Sequence, residues 1–108
     1  MNVIFDREVA EKIKEQYLVL ELETFPAGDK KVECFCIVEY KDIPLEELAN
    51  LPQYKKLHEY LVEQIKAGNY SNTIKQIIPG LKGKFAGELD SFYDEITKRI
   101  KQKEVAPG

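Results

Sequence analysis

The chain has little of what metal sites and nucleophilic catalysis require. Its 108 residues include two cysteines, Cys34 and Cys36, and one histidine, His58. These are too few for a zinc site of the usual kind, and the C-x-C spacing is not the common C-x-x-C. A catalytic triad needs a histidine beside its nucleophile, whereas Ser71 and Ser91 suit helix-cap and helix-surface positions. We therefore expect no metal site, no cofactor and no catalytic residue, and so not an enzyme.

Long apolar runs are also absent. A membrane-spanning helix needs about 18 or more consecutive apolar residues, and the sequence contains no such run. The first six residues lack the basic and then apolar regions of a signal peptide. On a strand, Cys34 and Cys36 would point the same way, which does not favour a disulfide and suits a reducing compartment. We expect a cytoplasmic protein without a membrane partner.

What the chain does contain is typical of one folded domain. Hydrophobic residues make up 44% and charged residues 32%, far from the composition of disordered segments. A chain of this length can bury a core without a disulfide or a metal. We predict a single domain over residues 1–108, with residues 104–108 as a frayed tail.

The charges are unevenly placed. The net charge of −3 divides into −4 over residues 1–43 and +1 over residues 44–108. Four lysines, at positions 66, 75, 82 and 84, follow one another with no acid between Glu63 and Glu88. This distribution predicts a local basic ribbon on an acidic protein.

Two alternating segments predict a β-hairpin. Residues 17–25 and 31–40 alternate apolar and polar positions, and residues 26–30 carry turn-forming Pro, Gly and Asp. One face of this hairpin would hold Leu18, Leu20, Leu22, Val32, Cys34, Cys36 and Val38. Matching these faces requires an even sum of residue numbers in each cross-strand pair. Charge favours Glu23 opposite Lys31, with Glu21 opposite Glu33, over the register two residues along, which sets Glu23 against Glu33.

The other face of the hairpin holds Val19, Glu21, Phe35 and Ile37. Acids on an antiparallel sheet are typical of its solvated face. This face is too apolar for solvent alone, however, which favours an interface by edge pairing or face packing. We predict these four residues as a protein interface and expect a protein partner or self-association, for instance a homodimer formed through the sheet.

Helical periodicity accounts for most of the rest. A short strand over residues 2–5 leads to Asp6 as the N-cap of a helix over residues 7–16. Pro44 begins a short helix. Leu51-Pro52 begins a longer one, with helical spacing along residues 53–66, and a helix starting at Ser71 or Asn72 would end at Pro79-Gly80. A last helix would run from Lys84 or Gly87 to Lys101. It carries an apolar stripe of Phe85, Leu89, Phe92, Ile96 and Ile100.

These elements predict an α+β fold. A small antiparallel sheet, made of the hairpin and a short N-terminal strand, would pack against an N-terminal helix and a C-terminal bundle of three or four helices. The joint over residues 67–70 resembles that of a tetratricopeptide-type helical hairpin, but no second copy follows at a fixed period.

The segment Pro79-Gly80-Leu81-Lys82-Gly83-Lys84 resembles the G-x-x-G loop with which KH domains clamp nucleic acid. Such loops offer backbone N–H groups and a lysine to phosphates. KH folds add strands around their helix pair, and none is predicted after Tyr40. Lys82, Gly83 and Lys84 are thus candidate anion or nucleic-acid ligands, with a solvated glycine-rich helix joint as the simpler interpretation.

Three segments of the sequence resemble segments of small uncharacterised proteins encoded by tailed phages of marine cyanobacteria. They are Cys36-Ile37-Val38-Glu39, Ile43-Pro44-Leu45-Glu46-Glu47-Leu48 and residues 83–93, which read GKFAGELDSFY. The resemblance implies a protein made in the cytoplasm of a bacterial host and acting on a host component, and it transfers no catalytic residue.

The sequence therefore favours a small noncatalytic protein–protein interaction or accessory protein. The alternative is a nucleic-acid or phosphate-binding module that uses the loop from Gly80 to Lys84.

Overall fold

The structure, a computed structural model, describes residues 1–105, with side chains up to residue 103. Within this range a three-stranded antiparallel sheet has the order β1-β3-β2. Its strands are β1 (Asn2–Ile4), β2 (Leu18–Ala27) and β3 (Lys30–Val38). The predicted α+β class is confirmed, and the short N-terminal strand pairs with β3.

Five α-helices follow or separate the strands in the described range. They are α1 (Arg7–Ile13), α2 (Leu45–Leu48), α3 (Leu51–Lys66), α4 (Asn72–Leu81) and α5 (Asp90–Val105). The predicted cap of α1 is confirmed, because the Asp6 carboxylate accepts hydrogen bonds from the N–H groups of Glu8 and Val9. None of the described helices is long and apolar enough to cross a membrane.

The hairpin register differs from the predicted one. Near the open end, Leu20 lies opposite Cys36 and Glu21 opposite Phe35, whereas near the turn Thr24 lies opposite Glu33. One extra residue is therefore accommodated in β2 between Glu21 and Thr24, as a β-bulge. The expectation of even sums throughout was wrong because a bulge shifts the pairing by one. Glu23, within the bulge, is paired with Arg99 of α5 instead of Lys31.

The predicted inner face of the hairpin is confirmed as core except at Val32, which is only half-buried. Buried side chains from β2 and β3 form one cluster with side chains from α3, α4 and α5. The apolar stripe of the last helical segment is buried as well: Phe85, Leu89, Phe92, Ile96 and Ile100. This packing fixes α3, α4 and α5 on one side of the sheet, while α1 lies against the other.

Several helix boundaries differ from their predictions, beginning with α1, which ends at Ile13 instead of residue 16. The fourth helix continues past Pro79 to Leu81, since Leu81 is fully buried and the Lys82 N–H still bonds the Ile78 carbonyl at 3.0 Å. The fifth starts later than predicted. A separate 3₁₀ turn, Phe85–Gly87, precedes it. It also continues to Val105, and the last three residues of the predicted frayed tail lie outside the described range.

Candidate functional site

A groove of about 250 Å³ lies between α1 and α3 and is lined by residues of both helices and of β2 and β3. We call it the α1–α3 groove. Its floor is formed by Val19 and Phe35 of the sheet, and its sides by residues of both helices and the segments beside them. The side residues include Ala10, Lys14, Tyr17, Tyr40, Lys55 and Glu59. The groove thus combines an apolar and aromatic floor with charged side chains at its edges.

Three of the four predicted interface residues line this groove: Val19, Glu21 and Phe35. Val19 is half-buried, as is the fourth residue, Ile37, which lies opposite Val19 in the sheet. Phe35 is buried because α1 lies over this face, with the Arg7 guanidinium 5.1 Å from the ring centroid. The face is therefore covered in part by the chain's own α1, and the groove is the part that α1 leaves open.

A network of four charges holds α1 on the sheet. The Arg7 guanidinium donates to both carboxylate oxygens of Glu33, from Nε to Oε1 at 3.0 Å and from Nη2 to Oε2 at 2.5 Å, and its Nη2 lies 3.4 Å from Glu21. The other oxygen of Glu21 meets the Lys66 ammonium of α3. Hydrogen bonding to Arg7 lowers the pKa of Glu33. Glu21 and Glu33 are thus neutralised by cations from two helices, Arg7 of α1 and Lys66 of α3.

The sides of the groove contain residues that the sequence did not indicate as functional. Tyr17 and Tyr40 stand just outside the two ends of the hairpin, and pairing of Leu18 with Val38 brings those ends together. Their position beside the predicted strands was the sequence feature that could have indicated these two tyrosines as lining residues of a site. Lys55 and Glu59 are one turn apart on α3, and which face of α3 meets this groove depends on tertiary packing.

His58 closes the base of the groove and is fully buried. Its Nε2 lies 2.6 Å from the Glu21 carbonyl, and its Nδ1 lies 2.8 Å from the Tyr93 hydroxyl. A carbonyl can only accept, so Nε2 carries the proton, and neutral Nδ1 accepts from Tyr93. Burial lowers the pKa of His58 to about 4. Both ring nitrogens are thus engaged inside the fold.

The two cysteines lie on the core side of the sheet. Both thiols are free and buried, and burial raises the pKa of Cys36 to about 12 and raises that of Cys34 as well. A thiol with a raised pKa holds little thiolate near neutral pH, and the thiolate is the nucleophilic and metal-binding form. Within residues 1–105, no group of three His, Cys, Asp or Glu side chains could hold a metal ion.

The glycine-lysine loop binds carboxylates that belong to the chain itself. The Gly83 N–H donates to Asp90 at 2.8 Å, and the Phe85 N–H donates to the buried Glu47 at 2.7 Å. Lys82 pairs with Asp94 at 2.6 Å, which raises the pKa of Lys82. Within the loop, the Gly83 N–H is therefore occupied by an internal carboxylate, and the Lys82 and Lys84 N–H groups bond backbone carbonyls. The assignment of Lys82, Gly83 and Lys84 as external anion ligands stays a prediction.

Glu47 also stabilises a turn in which two residues with side chains have positive φ. Phe85 and Ala86 both have positive φ, of 55° and 58°, a region that costs residues with side chains about 1–2 kcal/mol each. The hydrogen bond from Phe85 N–H to Glu47 ties this turn to α2. Lys84, just before the turn, lies with its ammonium 5.0 Å from the Tyr54 ring centroid. These contacts explain the segment as a folded joint between α4 and α5.

Comparison with protein-family models, with curated protein sequences and with solved structures found no match for this chain.

Proposed function

We propose that this chain is a noncatalytic protein-interaction protein that binds a segment of its partner in the α1–α3 groove. The observation that carries the proposal is the composition of that groove. The groove combines the sheet residues Val19 and Phe35 with two tyrosines, Tyr17 and Tyr40, and with charged residues from both helices. Protein interfaces are enriched in tyrosine at their centre and carry a polar rim.

The electrostatics of the groove support the same function. Glu21 and Glu33 are already paired with Arg7 and Lys66, and Glu11 is paired with Lys14 at 2.6 Å. A partner would therefore be held mainly by apolar and aromatic contact, with modest help from charges at the rim. Such binding should respond little to salt, whereas binding to a phosphate backbone weakens steeply.

The proposal is tested with a photo-crosslinking amino acid in place of Tyr17, which lines only this groove. The matched control carries the same group in place of Gln76, an exposed residue of α4. We expect the Tyr17 probe to crosslink a protein that excess unlabelled chain competes away, at low and at high salt. The partner so identified should bind the variant with Tyr17→Ser and Val19→Ser at least about tenfold more weakly, while Leu57→Ser should have no effect.

Equal crosslinking from both probe positions, or unchanged affinity of the groove variant, would refute this function. The crosslinking is carried out in a lysate of a bacterial host, because the resemblance to phage proteins implies that the partner is a host component.

A further inference from the structure

A second groove, of about 390 Å³, adjoins the first, and we call it the Pro52 groove. It is lined by Tyr40, Leu51, Pro52, Lys55, Lys56 and Glu59. Within residues 1–105, neither Lys55 nor Lys56 makes an ion pair. This sets them apart from Arg7 and Lys14, which are neutralised by acids of the same chain. The groove thus offers two unpaired cations beside apolar surface, against one acid, Glu59.

The segment between Tyr40 and Leu51 has the opposite character. Leu45, at the start of α2, is 82% exposed, more than any other large apolar residue described. Two exposed acids lie near it in the sequence, Asp42 three positions before and Glu46 directly after, and neither pairs with a cation in the described range. We call these three residues the Leu45 knob. An exposed apolar side chain with two unpaired acids nearby in the chain complements a groove with apolar walls and two lysines.

Knob and groove lie on neighbouring parts of the chain. Tyr40 and Leu51 line the groove, and the knob lies in the ten residues that connect them. A two-fold contact uses the same surface patch on both subunits. A patch that contains both a knob and a complementary groove can therefore seat each knob in the groove of the other subunit at the same time.

We propose that the chain forms a symmetric dimer in which the Leu45 knob of each subunit occupies the Pro52 groove of the other, with Glu46 facing Lys55 or Lys56. The inference goes beyond the proposed function, because it assigns the neighbouring Pro52 groove, and not the α1–α3 groove, to a second copy of the chain. It places the dimer contact at α2 and α3, away from the sheet, through which the sequence suggested a homodimer.

The test uses charge reversal measured by sedimentation velocity across a range of protein concentrations. The wild type should dimerise reversibly. Lys55→Glu together with Lys56→Glu should raise the dimer dissociation constant at least about tenfold, because like charges then face each other. Glu46→Lys should act in the same way. The variant that combines all three changes should dimerise to within about threefold of the wild type, because the pair is restored with opposite polarity.

Matched controls separate charge from position. Lys98→Glu and Glu63→Lys change the same charges at exposed sites elsewhere and should leave the dimer unchanged. Leu45→Ser should weaken the dimer and Leu57→Ser should not. All positions but Lys55, which is half-buried, are exposed, so the fold should survive, which circular dichroism checks.

A monomer at all concentrations would overturn this inference, and so would a dimer insensitive to the charge reversals. If the Tyr17 probe still crosslinks a competed partner in either case, the proposed function stands and only the dimer fails. If the dimer forms as described and the probe captures nothing, the α1–α3 groove assignment fails instead.

Discussion

At the scale of single residues, the hydrogen bond between His58 and Tyr93 allows the most direct prediction, namely the loss of stability when it is removed. Tyr93→Phe removes the donor to a buried Nδ1, and an unsatisfied buried acceptor costs about 1–3 kcal/mol. His58→Phe leaves the Tyr93 hydroxyl and the Glu21 carbonyl without this partner. We expect each single change to lower the free energy of unfolding in urea by about 1–3 kcal/mol.

The double variant with His58→Phe and Tyr93→Phe should be more stable than the sum of the two single effects predicts. It removes both partners of one bond, so the cost of leaving a polar atom unpaired is not counted twice. A coupling energy near zero would mean that the two side chains do not act as a pair.

The residues predicted as core were recognisable because their signal is local. The stripe of α5 and the alternation in β2 and β3 depend only on the helical and strand periods. His58 follows the helical period of the buried residues on α3, so its place on the buried face of that helix could be predicted. Its partners could not be predicted, because Tyr93 lies 35 and Glu21 lies 37 positions away in the sequence. Glu47 was missed for the same reason, since it bonds a backbone group 38 positions away.

At the scale of elements, the turn at Phe85 and Ala86 depends on α2 through Glu47. Glu47→Ala removes the acceptor of the Phe85 N–H, and we expect a loss of about 1–3 kcal/mol in the free energy of unfolding. Glu47→Gln keeps a side-chain oxygen and should cost less. Hydrogen exchange of the Phe85 amide should accelerate in the Ala variant. Equal losses for Ala and Gln would show that the hydrogen bond contributes little.

Ala86→Gly in the same turn should stabilise the protein. Glycine adopts φ near +58° without the steric cost that alanine has there, so we expect a gain of about 0.5–1 kcal/mol in thermal or urea unfolding. Ala67→Gly is the control, because Ala67 has an ordinary φ of −81° and glycine offers no relief there. A gain at both positions would contradict the explanation.

The lysine loop gives a further prediction for the nucleic-acid alternative. Asp90 and Glu47 occupy the N–H groups of Gly83 and Phe85, and both carry the charge that repels phosphate. We therefore expect a fluorescent single-stranded oligonucleotide to bind weakly, and expect Lys82→Ala with Lys84→Ala to leave its affinity and salt dependence unchanged. A large loss of affinity in this variant would establish the loop as a phosphate site.

Element boundaries show where the sequence rules stop. The hairpin and its faces follow from alternation, but the register depends on the bulge between Glu21 and Thr24, which alternation alone does not reveal. Pro79 predicted a helix end because it lacks an N–H. The helix continues because the burial of Leu81 offsets that lost bond. Similarly, α1 covers Phe35 through Arg7, a contact set by tertiary packing.

At the scale of the whole molecule, His58 should make folding stability depend on pH between about 6.5 and 4. Its pKa is about 4 in the fold and about 6.5 when unfolded. Above pH 6.5 both states are neutral and the imidazole contributes no pH dependence. As the pH falls below 6.5, the unfolded chain binds a proton that the folded chain excludes. The free energy of unfolding should fall by about 3 kcal/mol on reaching pH 4.

In the upper part of this pH range, we attribute the change in the free energy of unfolding to the His58 imidazole. Hydrogen bonds from Arg7 and Lys14 lower the pKa of Glu33 and of Glu11 below their ordinary value of 4.5, so their stabilisation is lost only at more acidic pH. Between pH 6.5 and 5, the variant with His58→Phe and Tyr93→Phe should therefore show a flat free energy of unfolding, while the wild type loses stability. Parallel curves for the two proteins would mean that a different group titrates, and that His58 is not held neutral between Glu21 and Tyr93.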